Sequence, residues 1–191
     1  EKDSDVIEDL LPLYDEVVRG VPDDELAASM TAIAALARAK EEASKQRGLL
    51  AIALFRAAVD PRQPGFDPFE YDSFTAARFR QESELTVFRT NATAAQRQFY
   101  SDTVTGQSVD RAALIAQVAM ARTENGEPLR RPGVQEEGES WFASTTESIE
   151  RMRTVERTLT QAVIARSEEL RAADQRVAAV NVALVGLVLG F

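Results

Sequence analysis

The feature that most constrains the fold is the stretch from Glu25 to about Val59, which contains no proline and a single glycine, Gly48. Alanine, leucine, lysine, glutamate and arginine dominate it, and all of these residues favour helix. A helix of this length would extend about 52 Å at 1.5 Å per residue. Mostly apolar residues recur along it in steps of three and four and so share one face, which predicts packing against another helix. Its members are Leu26, Met30, Ile33, Ala37, Lys40, Ser44, Arg47, Ala51, Leu54 and Ala58.

A second long helix is predicted from Ser140, because no proline or glycine follows until Gly186. Its packing face would be Phe142, Thr145, Ile149, Met152, Glu156, Leu159, Val163, Arg166 and Leu170. No segment shows the strict alternation of a strand, so the fold class is all-α: an elongated helical bundle with two long helices. Shorter helices are predicted over 5–19, over 69–90, from the cap candidates Asn91 and Thr93 to about Val104, and from an Asp110 cap to about Arg122. Loops are predicted over 60–68 and 124–139.

The run 177–191 is apolar on every face except for Asn181. Together with Arg171 and Arg176 just before it, this pattern predicts the start of a truncated transmembrane helix. The domain organisation is therefore predicted as a helical domain over 1–176 and a membrane segment over 177–191. The spacing of Gly186 and Gly190 permits close helix contact in a membrane and fits a homodimer.

Composition excludes several classes of function. The formal net charge of −9 disfavours nucleic acid as a partner. The absence of cysteine and histidine excludes thiolate zinc sites, cysteine nucleophiles and triads with an imidazole base. No phosphate-binding, dinucleotide, nucleophile-elbow or metalloprotease motif is present. We therefore predict no catalytic residue, no metal and no cofactor, and this chain is not expected to be an enzyme.

The sharpest feature is a cationic interruption of the first long helix. Lys40, Ser44 and Arg47 occupy positions where its packing face should continue apolar. An unpaired buried guanidinium costs several kcal/mol, so something must compensate for Arg47. The side chain could extend past its small neighbours to water, pair with a carboxylate such as Glu156, or bind a diffusible anion. A guanidinium suits a planar oxyanion, since two of its N–H groups can donate in parallel.

The run "KEEASKQRGLLAIALF" (40–55) resembles the nitrate- and nitrite-sensing (NIT) domain family, which carries a K-E-x-x-S-x-x-R-G/A-L-L-like motif on a long helix. Three later features agree with the same family, namely the stretches 87–106 and 141–156 and the long last helix, and the likeness covers about residues 10 to 180. It is closest to the extracytoplasmic sensor segments of actinobacterial-type sensor histidine kinases. The resemblance implies an all-helical module that binds nitrate or nitrite through arginines. The motif arginine falls on Arg47, and a second one, in an I-D-x-L-R-x-V-E-like pattern, falls on Arg153.

These observations predict a ligand-sensing input domain of a membrane receptor that transmits a helix shift across the membrane. The anion would bind to Arg47 and Arg153, with Lys40, Ser44 and Arg151 as supporting candidates. The resemblance also implies a two-component sensor histidine kinase as parent, located in the cell membrane with this domain extracytoplasmic. The alternative is a helical dimerisation or spacer module that binds no ligand, in which Arg47 pairs internally, for example with Glu156.

Overall fold

The computed structural model describes residues 24–60, 62 and 65–189, with side chains through residue 172. This part of the chain forms helices joined by short loops, and it contains no strand. The predicted all-α class is therefore confirmed. The helices, numbered from the first described one, are α1 Asp24–Val59, α2 Pro68–Asn91, α3 Ala94–Thr103, α4 Gln107–Glu124 and α5 Val134–Leu189. The helix predicted over 5–19 lies outside the described residues.

The first long helix, α1, lies between two antiparallel neighbours. It packs mainly against α5 and α2, while α4 and α3 pack against α5. The buried surface of α1 is consequently wider than the one packing face that the sequence predicted. Leu26, Ile33, Ala51 and Leu54 of the predicted face are buried, whereas the other six members are half-buried. The most deeply buried residues of α1 lie between its two neighbours: Ala32, Ala35, Leu36, Ala39, Leu50, Ala53 and Ala57.

The apolar core consists of two clusters. One surrounds Phe74 and Trp141 with the α1 residues from Leu50 to Ala57. The other surrounds Phe88, Met152 and Val155 with the α1 residues from Ala32 to Ala39. Between them α1 carries Lys40, Glu42, Ser44, Gln46 and Arg47, which we call the central polar layer. The cationic interruption in the sequence therefore marks the boundary between two apolar clusters.

Of the helix caps predicted for α3 and α4, the structure contains the first and lacks the second. Thr93 caps α3, as predicted: its side chain accepts from the backbone N–H of Gln96, and the Gln96 side chain accepts from the N–H of Thr93. The predicted cap Asp110 is wrong, because α4 already begins at Gln107 and Asp110 lies in its first turn. Gly106 precedes α4 with φ 108°, a conformation that favours glycine.

The second long helix begins earlier than predicted, at Val134 instead of Ser140. The sequence suggested a break at Gly138, but this glycine is buried inside α5. A Cβ atom at Gly138 would lie 3.4 Å from the Cβ of Leu54 and 3.7 Å from the ring of Phe55. Gly138 therefore serves close packing of α5 against α1, and Gly133, with φ 81°, precedes the helix instead.

The backbone of α5 remains helical to Leu189 and so includes most of the predicted membrane segment 177–191. The side chains of that segment, and residues 190–191 entirely, lie outside the described part of the chain. Within the part that is described, we find no helix with a stretch long and apolar enough to cross a membrane.

An ion pair joins the ends of α1 and α2 and should make stability depend on pH. Arg56 donates to both carboxylate oxygens of Glu70, at 2.6 and 2.7 Å. The hydrogen bonds from Arg56, together with one from the backbone of Asp67, hold the pKa of Glu70 below its ordinary value of 4.5. As the pH falls, the carboxylate of Glu70 therefore binds a proton at a higher pH in the unfolded chain than in the folded one. The stabilisation by this ion pair is present above about pH 4.5 and is lost as the pH falls through the lower pKa of the folded state.

We expect Glu70→Gln to lower the free energy of unfolding at pH 7 by about 1–3 kcal/mol, since a charge-assisted bidentate pair is lost. At pH 3 the difference between the variant and the wild type should be smaller than at pH 7. Urea denaturation at both pH values measures this. Glu82→Gln is the control, because its pair with Arg89 is exposed and should contribute under about 0.5 kcal/mol. An equal loss at both pH values would contradict the assignment.

Candidate functional site

Lys40 forms an ion pair with Glu156 across the interface of α1 and α5. Both side chains are mostly buried, with 20% and 22% of their surface exposed. Glu156 is the carboxylate that the sequence offered as an example of an internal partner for Arg47. In the structure Glu156 pairs with Lys40 instead. The pair between Arg47 and Glu156, given as an example for the spacer alternative, is therefore not formed, and the charge of Lys40 is already balanced.

Arg47 contacts α5 through a hydroxyl and a ring. Its Nη1 donates to Thr146 Oγ1 at 2.9 Å. Its guanidinium carbon lies 4.9 Å from the centroid of the Phe142 ring, within the range of a cation–π contact. No carboxylate among the described residues forms an ion pair with Arg47. Because one guanidinium carries five N–H donors, most of them remain for a ligand.

The backbone around Arg47 is also held in place. The indole Nε1 of Trp141, a residue with 2% of its surface exposed, donates to the backbone oxygen of Arg47 at 3.0 Å. Ser44 precedes Arg47 by three residues on the same face of α1 and is half-buried. Its hydroxyl makes no hydrogen bond to another described residue. Arg47 and Ser44 therefore present donors at the edge of the interface between α1 and α5.

Arg153 lies further along the face of α5 that carries Thr146. Thr146, Glu150 and Arg153 follow one another in steps of four and three, so they share one face. Arg153 donates to Glu150 at 2.5 Å, and 49% of its side chain is exposed. Seven residues of helix separate Arg153 from Thr146 by about 10 Å. The structure thus places Arg153 on the face of α5 that carries Thr146, without a hydrogen bond or ion pair to Arg47.

Arg151 is directed toward a different part of the fold. Its guanidinium bonds Glu147 at 2.8 Å and the backbone oxygen of Thr103, at the end of α3, at 3.2 Å. Hydrogen bonds from Ser108 and then from Arg151 hold the pKa of Glu147 below its usual 4.5. Arg151 therefore joins α5 to α3 and makes no hydrogen bond to Arg47 or to its partner Thr146.

Two residues around Arg47 were not among the predicted site residues. Phe142 was assigned to the packing face of α5, but 47% of it is exposed and its ring instead lies beside Arg47. Thr146 was not singled out at all. Its position could be found only once the antiparallel pairing of α1 and α5 was known. No group of three or more metal-binding side chains occurs in the part of the chain that the structure describes.

Comparison with known proteins supplies one family match. The family model described as nitrate and nitrite sensing matches residues 4–164, a range that includes Arg47, Thr146 and Arg153. No curated protein and no solved structure matches the chain.

Proposed function

The chain belongs to the nitrate- and nitrite-sensing family, and from this premise we propose that it binds nitrate or nitrite at Arg47, between α1 and α5. The family is sensory, which agrees with a chain that is not itself an enzyme. The anion would accept hydrogen bonds from the guanidinium of Arg47 and from the hydroxyl of Ser44.

The observation that carries this proposal is the charge balance of α1. The helix has five cationic side chains, and four of them form ion pairs with carboxylates. Within the described part of the chain, Arg47 is the exception. The four pairs are Arg38–Glu84, Lys40–Glu156, Lys45–Glu42 and Arg56–Glu70. The guanidinium of Arg47 is half-buried and has no carboxylate partner, whereas the other four cations of α1 do. This difference favours an external anion as the partner of Arg47.

Arg153 is proposed as the second arginine of the site. Its present partner, Glu150, is half exposed, so exchanging that ion pair for a bound anion costs little. Binding by both arginines would require the Arg153 side chain to turn along α5 toward Thr146. Ser44 would contribute a hydroxyl, whereas Lys40 and Arg151 would support the site through their fixed contacts with Glu156 and Glu147.

Signalling would follow from a difference in affinity between two arrangements of α1 and α5. A ligand shifts such an equilibrium only as far as its affinities for the two states differ. An anion between Arg47 and Arg153 favours the arrangement that brings the two arginines closer. We propose that α5 carries this change toward its C-terminal end and, in a membrane-bound, homodimeric sensor histidine kinase with this domain extracytoplasmic, onward across the membrane.

The test is a calorimetric titration of the 191-residue chain with sodium nitrate and with sodium nitrite, at constant ionic strength. We expect Arg47→Ala to weaken binding at least about tenfold, because a charge-assisted bidentate contact is lost. Arg47→Lys should recover only part of the affinity, since lysine is a point charge.

Arg38→Ala is the matched control, because Arg38 lies on the same helix and its charge is balanced by Glu84. Its nitrate affinity should equal that of the wild type. Absence of heat with the wild type, or equal losses for Arg47→Ala and Arg38→Ala, would overturn the assignment of the site.

A further inference from the structure

A separate cavity of about 160 Å³ lies among α1, α2, α4 and α5. On α1 it is lined by Ala43 and Gln46, and Arg47 is not among its lining residues. Successive residues of a helix are turned by about 100°, so Gln46 and Arg47 face different sides of α1. Trp141 separates the two places: its ring lines the cavity, while its Nε1 bonds the backbone of Arg47.

Arg78 of α2 lines this cavity and is its one charged lining residue. It makes no ion pair or hydrogen bond with any residue that the structure describes. The other two arginines of α2 do have carboxylate partners: Arg80 pairs with Glu42, and Arg89 pairs with Glu82. The charge of the cavity lining is therefore +1, with no carboxylate to balance it, which favours a single negative charge as the ligand.

Thr145 supplies a second, independent observation. Its side chain lines the cavity, 6% of the residue is exposed, and its hydroxyl has no hydrogen-bond partner among the described residues. Threonine in a helix usually bonds the carbonyl four residues earlier, as the adjacent Thr146 does with Phe142 at 2.7 Å. A buried hydroxyl without a partner is unfavourable, and a ligand oxygen in the cavity would satisfy it.

Further donors complete the lining. Gln46 Nε2 donates to Gln81 Oε1 at 2.8 Å, which leaves the amide nitrogen of Gln81 available as a donor. Ser148, one turn after Thr145 on α5, adds a second hydroxyl. The remaining walls are largely alanine, so the cavity is compact. At roughly 30 Å³ per water, it has room for about five water molecules, enough for a small anion.

From the unpaired Arg78 and the unsatisfied hydroxyl of Thr145, we propose that this cavity is a second anion site, which takes a small oxyanion of one negative charge. Nitrate and nitrite fit that description in size and charge. An anion there would contact α1, α2, α4 and α5 together, so it would hold the two shorter helices onto the long pair. This proposal stands on residues other than those assigned to the Arg47 site, and either site can exist without the other.

The experiment counts bound anions with the 191-residue chain. Sodium nitrate is titrated by calorimetry at constant ionic strength into the wild type, Arg47→Ala, Arg78→Ala and the control Arg80→Ala. We expect two anions per chain in the wild type and in Arg80→Ala. Arg47→Ala and Arg78→Ala should each retain one, with the lost site weakened at least about tenfold.

The outcomes separate the two proposals. One anion per chain, lost in Arg47→Ala and kept in Arg78→Ala, overturns the second site and leaves the proposed function intact. One anion lost in Arg78→Ala and kept in Arg47→Ala supports the cavity and overturns the site at Arg47. No binding of nitrate to the wild type overturns both.

Thr145→Val provides a readout that does not depend on removing a charge. The substitution removes the unsatisfied hydroxyl while preserving the shape of the side chain. Without nitrate, the midpoint of thermal unfolding should stay equal to that of the wild type or rise. In excess nitrate, the wild type should gain more in this midpoint than the variant does, because ligand binding stabilises the folded state. Equal gains in the two proteins would overturn the role of Thr145 in the cavity.

Discussion

Replacing Phe74 with alanine is expected to lower the free energy of unfolding by about 3–5 kcal/mol, the range for a fully buried aromatic side chain. Phe74 has no exposed surface. Its ring centroid lies 5.3 Å from that of Phe66 and 6.4 Å from that of Trp141, so it joins α2 to the preceding loop and to α5. The loss combines the burial of the ring with the cavity that its removal leaves.

Urea denaturation at neutral pH measures this loss. Phe79→Ala is the matched control, because Phe79 lies on the same helix with 76% of its surface exposed. It should change the free energy of unfolding by less than about 0.5 kcal/mol. If the two variants were equally destabilised, the described packing of α2 against α1 and α5 would be wrong.

Replacing Trp141 with alanine should have an effect of similar size, about 3–5 kcal/mol. Trp141 packs edge-on against Phe74, and it also links α5 to the backbone of α1 at Arg47. Trp141→Phe separates the two contributions. It retains most of the ring and loses the hydrogen bond, which is expected to cost about 1 kcal/mol beyond the change in packing.

The same two variants should differ in nitrate binding. Trp141→Ala should weaken binding at both proposed sites, because it disturbs the interface beside Arg47 and the wall of the cavity. Trp141→Phe should leave affinity close to that of the wild type, since no donor to the anion is assigned to the indole. Denaturation and calorimetry on the same preparations measure both effects. A loss of affinity in Trp141→Phe equal to that in Trp141→Ala would mean that the indole N–H itself orders the Arg47 site.

The sequence predicted the long helices well, because strong helix formers and the absence of breakers are local properties. The start of α1 at Asp24 and its end at Val59 agree with prediction to one residue. The start of α5 was predicted wrongly because the sequence does not show which of two roles Gly138 has. A glycine can end a helix, or it can let a neighbouring helix approach, and only the contact with Leu54 distinguishes them.

The candidate site was predictable in part for the same reason. Arg47 could be identified because the spacing of residues within one helix is enough to place it on the packing face. The ion pair of Lys40 with Glu156 could not be predicted, because it depends on the alignment of α1 with α5. Arg78 and Thr145 could not be singled out from sequence, since their lack of partners appears only when four helices surround one space.

The central polar layer also limits how far the long helices can slide. Two helices with a heptad-like apolar pattern can exchange one register for another, seven residues away, with little loss of apolar contact. Here a slip of one heptad, about 10 Å, would place Lys40 opposite Ile149 or Val163 and leave Glu156 without its cation. Because an unpaired buried charge is costly, whole-heptad slips are excluded. Any movement that an anion triggers between α1 and α5 is thus confined to a rotation or a displacement of less than one heptad.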